Sequence, residues 1–265
     1  MHIKFLGLLL SLAVMVSCAS SHKAILDLGS PSQQSTNSSE NKGSPQQVPK
    51  GQSEPNNSQP PLDSISSKWT RDVIDTTANA EYLAEIERQV ILEINMVRTD
   101  PPEYARRYLL PMRSYYHDTL LQFPGGISVS TKEGLRALDE CIQALQAAKS
   151  LLPLSPNKGL TLAARDHVKD HGRTGAIGHT GSDSSTVVDR FNRYGKWGIS
   201  VGENIYYGNG NARIIVVLLL IDDGVSSRGH RGNFLNSSFK VVGVSVGPHP
   251  LYGYMCVMDF AGSYE

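Results

Sequence analysis

Three short polar stretches carry the side chains best able to do chemistry: Gly178-His179-Thr180-Gly181, Gly202-Glu203-Asn204-Ile205 and Ser227-Arg228-Gly229-His230-Arg231-Gly232-Asn233. Each sets a titratable side chain beside glycine, where the backbone can turn sharply or let a ligand approach closely. Two imidazoles and a carboxylate form a nitrogen and oxygen set suited to zinc or a similar divalent ion. A metal on the two histidines would lower the pKa of bound water to near 7, with Glu203 as general base, which is the chemistry of a metal-dependent hydrolase or peptidase. The separations, 24 residues from His179 to Glu203 and 27 from there to His230, match no local metal pattern. Spacing alone is therefore a weak signal. Cys18, Cys141 and Cys256 form no CxxC pair, so no thiolate metal site is indicated. Ser226 or Ser227 acting with a nearby histidine is the least favoured chemistry, because no GxSxG elbow is present.

Other conspicuous residues have plainer readings. His167 and His171 stand four apart on one helical face, but Val168 follows His167 where a zinc peptidase of the HExxH type needs Glu. They read as packing or surface residues. Asn204 reads as a hydrogen-bonding partner of backbone, Arg231 as a structural ion-pair partner, and Tyr206, Tyr207, Tyr252 and Tyr254 as core or cleft wall. Twenty-five basic residues balance twenty-five acidic ones. That balance removes the electrostatic case for nucleic acid or for broad binding to an anionic membrane surface.

The elements that must position these motifs follow from hydrophobic spacing. Leu83, Ile86, Val90, Ile94 and Val97 predict an amphipathic first helix. Asp100, Pro101 and Glu103 form a helix start, and Ser130 with Glu133 reads as a capping box before a helix through Leu135, Leu138, Ile142 and Leu145. Leu160, Ala164, Val168 and His171 continue at helical spacing as far as Gly172. Lys240 to Val246 and Tyr254 to Phe260 read as an antiparallel hairpin, with Ile199 to Ile205 a shorter strand of the same sheet. Ile214 to Ile221 is an apolar run of eight that periodicity cannot assign, although its β-branched content favours a strand. Helices first and strands last predict an α+β fold.

The chain contains 265 residues, 40% apolar and 19% charged, enough for a core diluted by a polar segment. Residues 1–18 read as an export signal: an apolar run from Phe5 to Val16, too short for the roughly 20 residues a bilayer span needs, ends at Met15-Val16-Ser17-Cys18. That tetrad resembles a bacterial lipobox, which makes Cys18 the lipidated first residue of a mature protein. Ala19 after it is compatible with outer-membrane sorting. From Gly29 to Ser67, 27 of 39 residues are Ser, Pro, Gln or Asn, which cannot bury enough apolar area to offset backbone ordering. Residues 19–80 are therefore expected to be a disordered polar linker, and residues 81–265 the folded domain. Sequons at Asn37, Asn56 and Asn236 matter only in a eukaryotic secretory route, which the lipobox argues against.

The wording of the three motifs, in this order, resembles the CAP superfamily: the cysteine-rich secretory, antigen-5 and pathogenesis-related proteins, also called SCP-like. Gly202-Glu203-Asn204-Ile205 matches the "GENI" strand of its bacterial branch, Ser227 to Asn233 the "S-x-G-H-R-x-N" loop, and His179 the histidine placed ahead of GENI. The resemblance covers roughly Glu81 to Glu265. It implies an α-β-α sandwich with a cleft lined by two histidines and two acidic residues, of which His179, Glu203 and His230 fill three positions. For the fourth, relatives carry Glu in the helix before the second histidine, where this chain has Leu220-Ile221-Asp222-Asp223-Gly224. Asp223 is the assigned candidate, with Asp222 the alternative. The resemblance also implies that Ile214 to Ile221 is a buried helix. The eukaryotic disulfide framework is missing, which leaves Cys141 and Cys256 as buried thiols.

Two functions follow as expectations. One is an extracytoplasmic binding module, lipid-anchored to a bacterial membrane or otherwise secreted, whose cleft recognises an envelope, host or lipid ligand and holds zinc or another divalent metal on His179, Glu203, His230 and Asp223. The other is the metal-dependent hydrolase, with Glu203 as base. Turnover is left open.

Overall fold

A computed structural model describes residues 16–19, by their backbone, and 69–265. The export signal up to position 15, and the polar segment up to position 68 with Asn37 and Asn56, lie outside the described residues. Helix α1 (Arg71–Ile74) opens the folded part. Trp69 and Ile74 are buried, so the core reaches back beyond Glu81, the start expected from helical spacing. The reason is aromatic packing: the Trp69 ring stacks on Tyr108 with centroids 6.0 Å apart.

Among the described residues a five-stranded sheet runs in the order β1-β6-β8-β7-β5. Its centre is the antiparallel trio β6 (Trp197–Tyr207), β8 (Gly253–Tyr264) and β7 (Val241–His249). The expected hairpin is present and longer than its β-branched runs, since Pro248 continues β7 opposite Tyr254. Among the described residues, β7 beyond its first two residues has no strand on its other side: β5 (Ser155–Pro156) pairs with Val241 and Val242. A proline is tolerated on such a free edge. β1 (Val16–Ala19) pairs antiparallel with the outer edge of β6, Cys18 opposite Glu203. Strands β2 (Tyr116–His117), β3 (Leu120–Gln122) and β4 (Ser128–Ser130) form a small separate sheet.

Helices cover both faces of the large sheet. On one lie α5 (Lys158–Thr174) and α6 (Val187–Asn192), packed on Ile205, Tyr207, Met255, Val257 and Ala261. A Cβ at Gly243 would collide with the backbone of Leu160 and Thr161, and one at Gly247 with Val168. These two glycines, on one face of β7, let α5 lie directly on the sheet. The other face packs on α2 (Glu85–Thr99), α4 (Leu135–Ala147), α7 (Ala212–Ile221) and α8 (Gly229–Phe234) through Val242, Val244, Cys256, Met258 and Phe260. The fold is α+β, with the sheet between two helical layers.

The ambiguous run is helix α7, as the resemblance implied. Asn211 caps it by accepting from the Ile214 N–H at 3.0 Å, and all its aliphatic residues are buried. Burial all round suits a β-branched sequence to a helix, each such side chain contributing roughly 1.5–3 kcal/mol. Two helix ends differ from expectation. Ser130 is extended in β4 opposite Leu120, so it cannot cap α4; Gly134 does, and Glu133 turns to Arg228 instead. Helix α3 (Pro101–Tyr104) begins at the Asp100 cap as expected but gives way to a π-turn over Ala105–Leu109. Helix α5 runs past Gly172 to a left-handed Gly175.

Candidate functional site

Residues 178–180 sit in the loop after α5, and every carbonyl in that stretch is held. His167 Nε2 donates to Gly178 O at 2.8 Å, Arg190 Nη1 to His179 O at 2.9 Å, and His171 Nε2 to Thr180 O at 3.1 Å. The Tyr207 hydroxyl accepts from the Gly178 N–H at 2.9 Å. His167 and His171 are thus buried packing residues of a specific kind: neutral donors that fix the loop. Burial keeps both imidazoles below the ordinary range, His167 at about 4.

Within this clamp the His179 Nδ1–H donates to Glu203 Oε1 at 2.6 Å, while Arg190 Nη2 donates to Glu203 Oε2 at 2.7 Å. Glu203 and Arg190 are almost wholly buried. Burial opposes ionisation of Glu203, but the His179 hydrogen bond and the Arg190 charge outweigh it and keep the carboxyl below its usual range. Each oxygen of Glu203 thus already accepts from one buried donor.

His230 is held in a parallel way from the other helical layer. Asp222, the last residue of the α7 region, adopts φ 55° and ψ 41° and turns its carboxylate back on α8. Asp222 Oδ1 accepts from His230 Nδ1 at 2.6 Å, and Oδ2 from the His230 N–H at 2.9 Å. Asp223, the residue assigned from the sequence, does not take part: its carboxylate accepts from the Lys132 and Glu133 N–H groups at 2.5 and 2.8 Å. The left-handed residue at the helix end swings the next side chain away from His230. Asp222 is therefore the acidic neighbour of the second histidine.

The surrounding polar residues build the frame. Arg231 closes α7 by donating to Leu220 O and Ile221 O at 2.7 and 3.1 Å, and pairs with Glu140. Arg228 is pinned by Glu133 and Glu140. Asn204 donates to His230 O at 3.1 Å and accepts from Asn233 at 2.7 Å, which ties β6 to α8 as backbone bonding by Asn204 suggested. Arg98 of α2 reaches the carbonyls of Phe234, Asn236 and Phe239, fixing the far end of α8. Ser226 and Ser227 are exposed.

Each histidine therefore donates through Nδ1 to a buried carboxylate, and a neutral imidazole so fixed presents Nε2 as a lone-pair acceptor. Both Nε2 atoms are buried and without a partner among the described residues. An unmet buried polar atom costs about 1–3 kcal/mol, so two at corresponding positions call for a functional reason. The expected four-ligand metal set is not assembled. Among the described residues no three His, Cys, Asp or Glu side chains lie close enough to hold one ion. The physical reason is that both carboxylates are spent on Nδ1 atoms, and they belong to different layers: Glu203 faces α5 and α6, whereas Asp222 ends α7. As placed, the residues do not fit a zinc centre of His179, Glu203, His230 and Asp223. Sequence reasoning did not single out Arg190, and no local pattern in α6 marks it: its role rests on burial and on three bonds across the fold. Cys141 and Cys256 are free and buried, the Cys141 thiol pushed up to about 12 by burial.

Comparison with known proteins agrees with the motif reading. The family model "CAP: Cysteine-rich secretory protein family" matches residues 93–260, more than half of the chain. No curated protein matches. The solved structure of an extracellular protein containing a SCP domain from Bacillus anthracis str. Ames is similar, at 22% identity and a TM-score of 0.35. The match covers 48% of this chain and 39% of that one.

Proposed function

This chain belongs to the Cysteine-rich secretory protein family, and we propose that within it the chain is an exported binding protein, held at a bacterial membrane by a lipid on Cys18. Its ligand, from the envelope, a host or a lipid phase, is bound through hydrogen bonds donated to the Nε2 atoms of His179 and His230. The observation that carries this reading is the pair of orphaned Nε2 atoms, each preset by a carboxylate on Nδ1. A binding site needs such fixed acceptors, while a hydrolase needs a base turned toward its substrate, and the Glu203 carboxylate is turned to His179 and Arg190. Burial of both acceptors means that a covering segment has to move before a ligand enters. Processing at Cys18 would remove Val16 and Ser17 from β1, half of the strand laid on the β6 edge at Gly202 to Ile205.

Two probes of the full chain test the reading: turnover of casein and of p-nitrophenyl acetate, and calorimetric titration with zinc. The expected result is no turnover that depends on Glu203. Hydrolysis lost in Glu203→Gln with the fold intact contradicts it and restores the hydrolase. Zinc bound at one ion per chain and abolished by both His179→Ala and His230→Ala would restore the metal set expected from the motifs. For the anchor, labelled palmitate is expected in the wild type and not in Cys18→Ser; equal labelling removes it.

A further inference from the structure

We propose, resting on the binding reading above, that the ligand is an extended polypeptide segment added as a strand to the outer edge of β6 at Glu203 and Ile205. In the unprocessed chain β1 fills that place.

Strand register fixes which backbone groups face the edge. The Gly208 N–H donates to Tyr254 O at 2.9 Å, and β6 pairs with β8 without a shift from Val201 to Tyr207. Residues of an antiparallel strand turn their N–H and C=O groups to alternate sides, so Gly202, Asn204 and Tyr206 bond to β8. The N–H and C=O groups of Glu203 and Ile205 then point outward. The Asn233 Nδ2 contact with Glu203 O, at 3.3 Å from α8, agrees with this. β1 meets these groups antiparallel, Cys18 opposite Glu203 and Val16 opposite Ile205, and it is the outermost strand on this side among the described residues. Loss of Val16 on processing leaves the Ile205 groups open on a strand edge, which is a template for another chain.

The two outer edges of the sheet differ in a way that favours this use. By the same alternation, Val246 and Pro248 of β7 face its free edge. The Val246 N–H is taken by Glu87 Oε1 at 3.1 Å, and Pro248 has no N–H to give, so that edge is blocked against strand addition. The β6 stretch from Gly202 to Tyr207 holds no proline and no lysine. Its protection is β1.

The open edge also runs beside both imidazoles. Successive side chains of an added strand point to opposite faces, each on the face of the β6 residue opposite it. One opposite Glu203 shares the face on which Glu203 accepts from His179 Nδ1–H. Its neighbour, opposite Asn204, shares the face on which Asn204 donates to His230 O. A strand with two adjacent donor side chains, such as Ser, Thr or Asn, therefore brings one donor to the side of each orphaned Nε2. Main-chain pairing supplies affinity, and those two positions supply selectivity.

The test uses the full chain carrying Val16→Pro and Cys18→Pro, which removes the N–H groups that pair with Ile205 and Glu203 and opens the edge. The probe is a peptide of residues 12–22 with Cys18→Ser. In the variant the Glu203 and Ile205 amides are expected to exchange hydrogen about tenfold faster than in the wild type, and added peptide to restore their protection. The same peptide N-methylated at the positions of Val16 and Cys18 is expected not to bind. Equal binding of the methylated peptide, binding without protection of those two amides, or no binding overturns strand addition. Self-association of the variant that protects the same amides assigns the edge to a second copy and overturns it as well. Adding His179→Ala and His230→Ala separates the two readings. Protection that survives both keeps the strand site and contradicts the role of the histidines, whereas weakened protection supports both.

Discussion

Arg190 shows how much one side chain can hold at this site. Its guanidinium fastens the His179 carbonyl, the Ser185 carbonyl and the Glu203 carboxylate at once, with almost no exposure. Removing it leaves Glu203 buried with its imidazole partner and no permanent cation. Arg190→Met is expected to cost about 3–5 kcal/mol, read from the urea midpoint, and Arg190→Lys to recover little because one ammonium cannot span the fork. A loss below about 1 kcal/mol in Arg190→Met would remove the clamp from the account. His167 carries the pH dependence. It is neutral in the fold at about 4, whereas the unfolded chain's imidazole takes up a proton near 6.5. Its contribution is therefore complete above about pH 6.5 and lost as pH falls toward 4, on the order of 3 kcal/mol. His167→Gln, whose amide can still donate to Gly178 O, is expected to flatten the stability profile across that window; an unchanged slope contradicts the assignment.

At the scale of elements, the α7 end performs two tasks that one substitution can separate. Asp222 supplies a left-handed helix terminus and the carboxylate on His230. Asp222→Gly keeps the first and loses the second; Asp222→Leu loses both, since a bulky residue resists positive φ. The Gly variant is expected to retain its circular dichroism and lose about 1–3 kcal/mol, and the Leu variant to lose more; equal losses contradict a separate role for the carboxylate. Much of this frame was legible in the sequence. The stripe from Leu83 to Val97 gave α2, the β-branched runs gave the hairpin, and the three glycine-flanked motifs pointed to both histidines and Glu203. Asp222 and Asp223 could not be told apart, because the choice depends on one φ angle at a helix end. The Ser130 capping box failed because a strand pairing competed for the same residue. Arg190 was not legible, since its role comes from burial and from its bonds to His179, Ser185 and Glu203.

For the whole molecule, the core begins at Trp69 and runs to the last strand, and among the described residues no helix is long and apolar enough to cross a membrane. Limited proteolysis is expected to stop at a fragment starting near Trp69, since Trp69 and Ile74 are buried against α2 and its neighbours. A stable fragment starting only at Glu81 would show that residues 69–80 are not docked. The two helical layers flank β6, and each contributes one imidazole whose Nδ1 is held by its own carboxylate; the central claim is that a ligand's donors are met by the two Nε2 atoms. The most direct measurement is the imidazole 15N spectrum of the full chain at neutral pH, with signals assigned through His179→Gln and His230→Gln. The account predicts a protonated Nδ1 and an unprotonated Nε2 for both residues, whereas a protonated Nε2 on either one would contradict it.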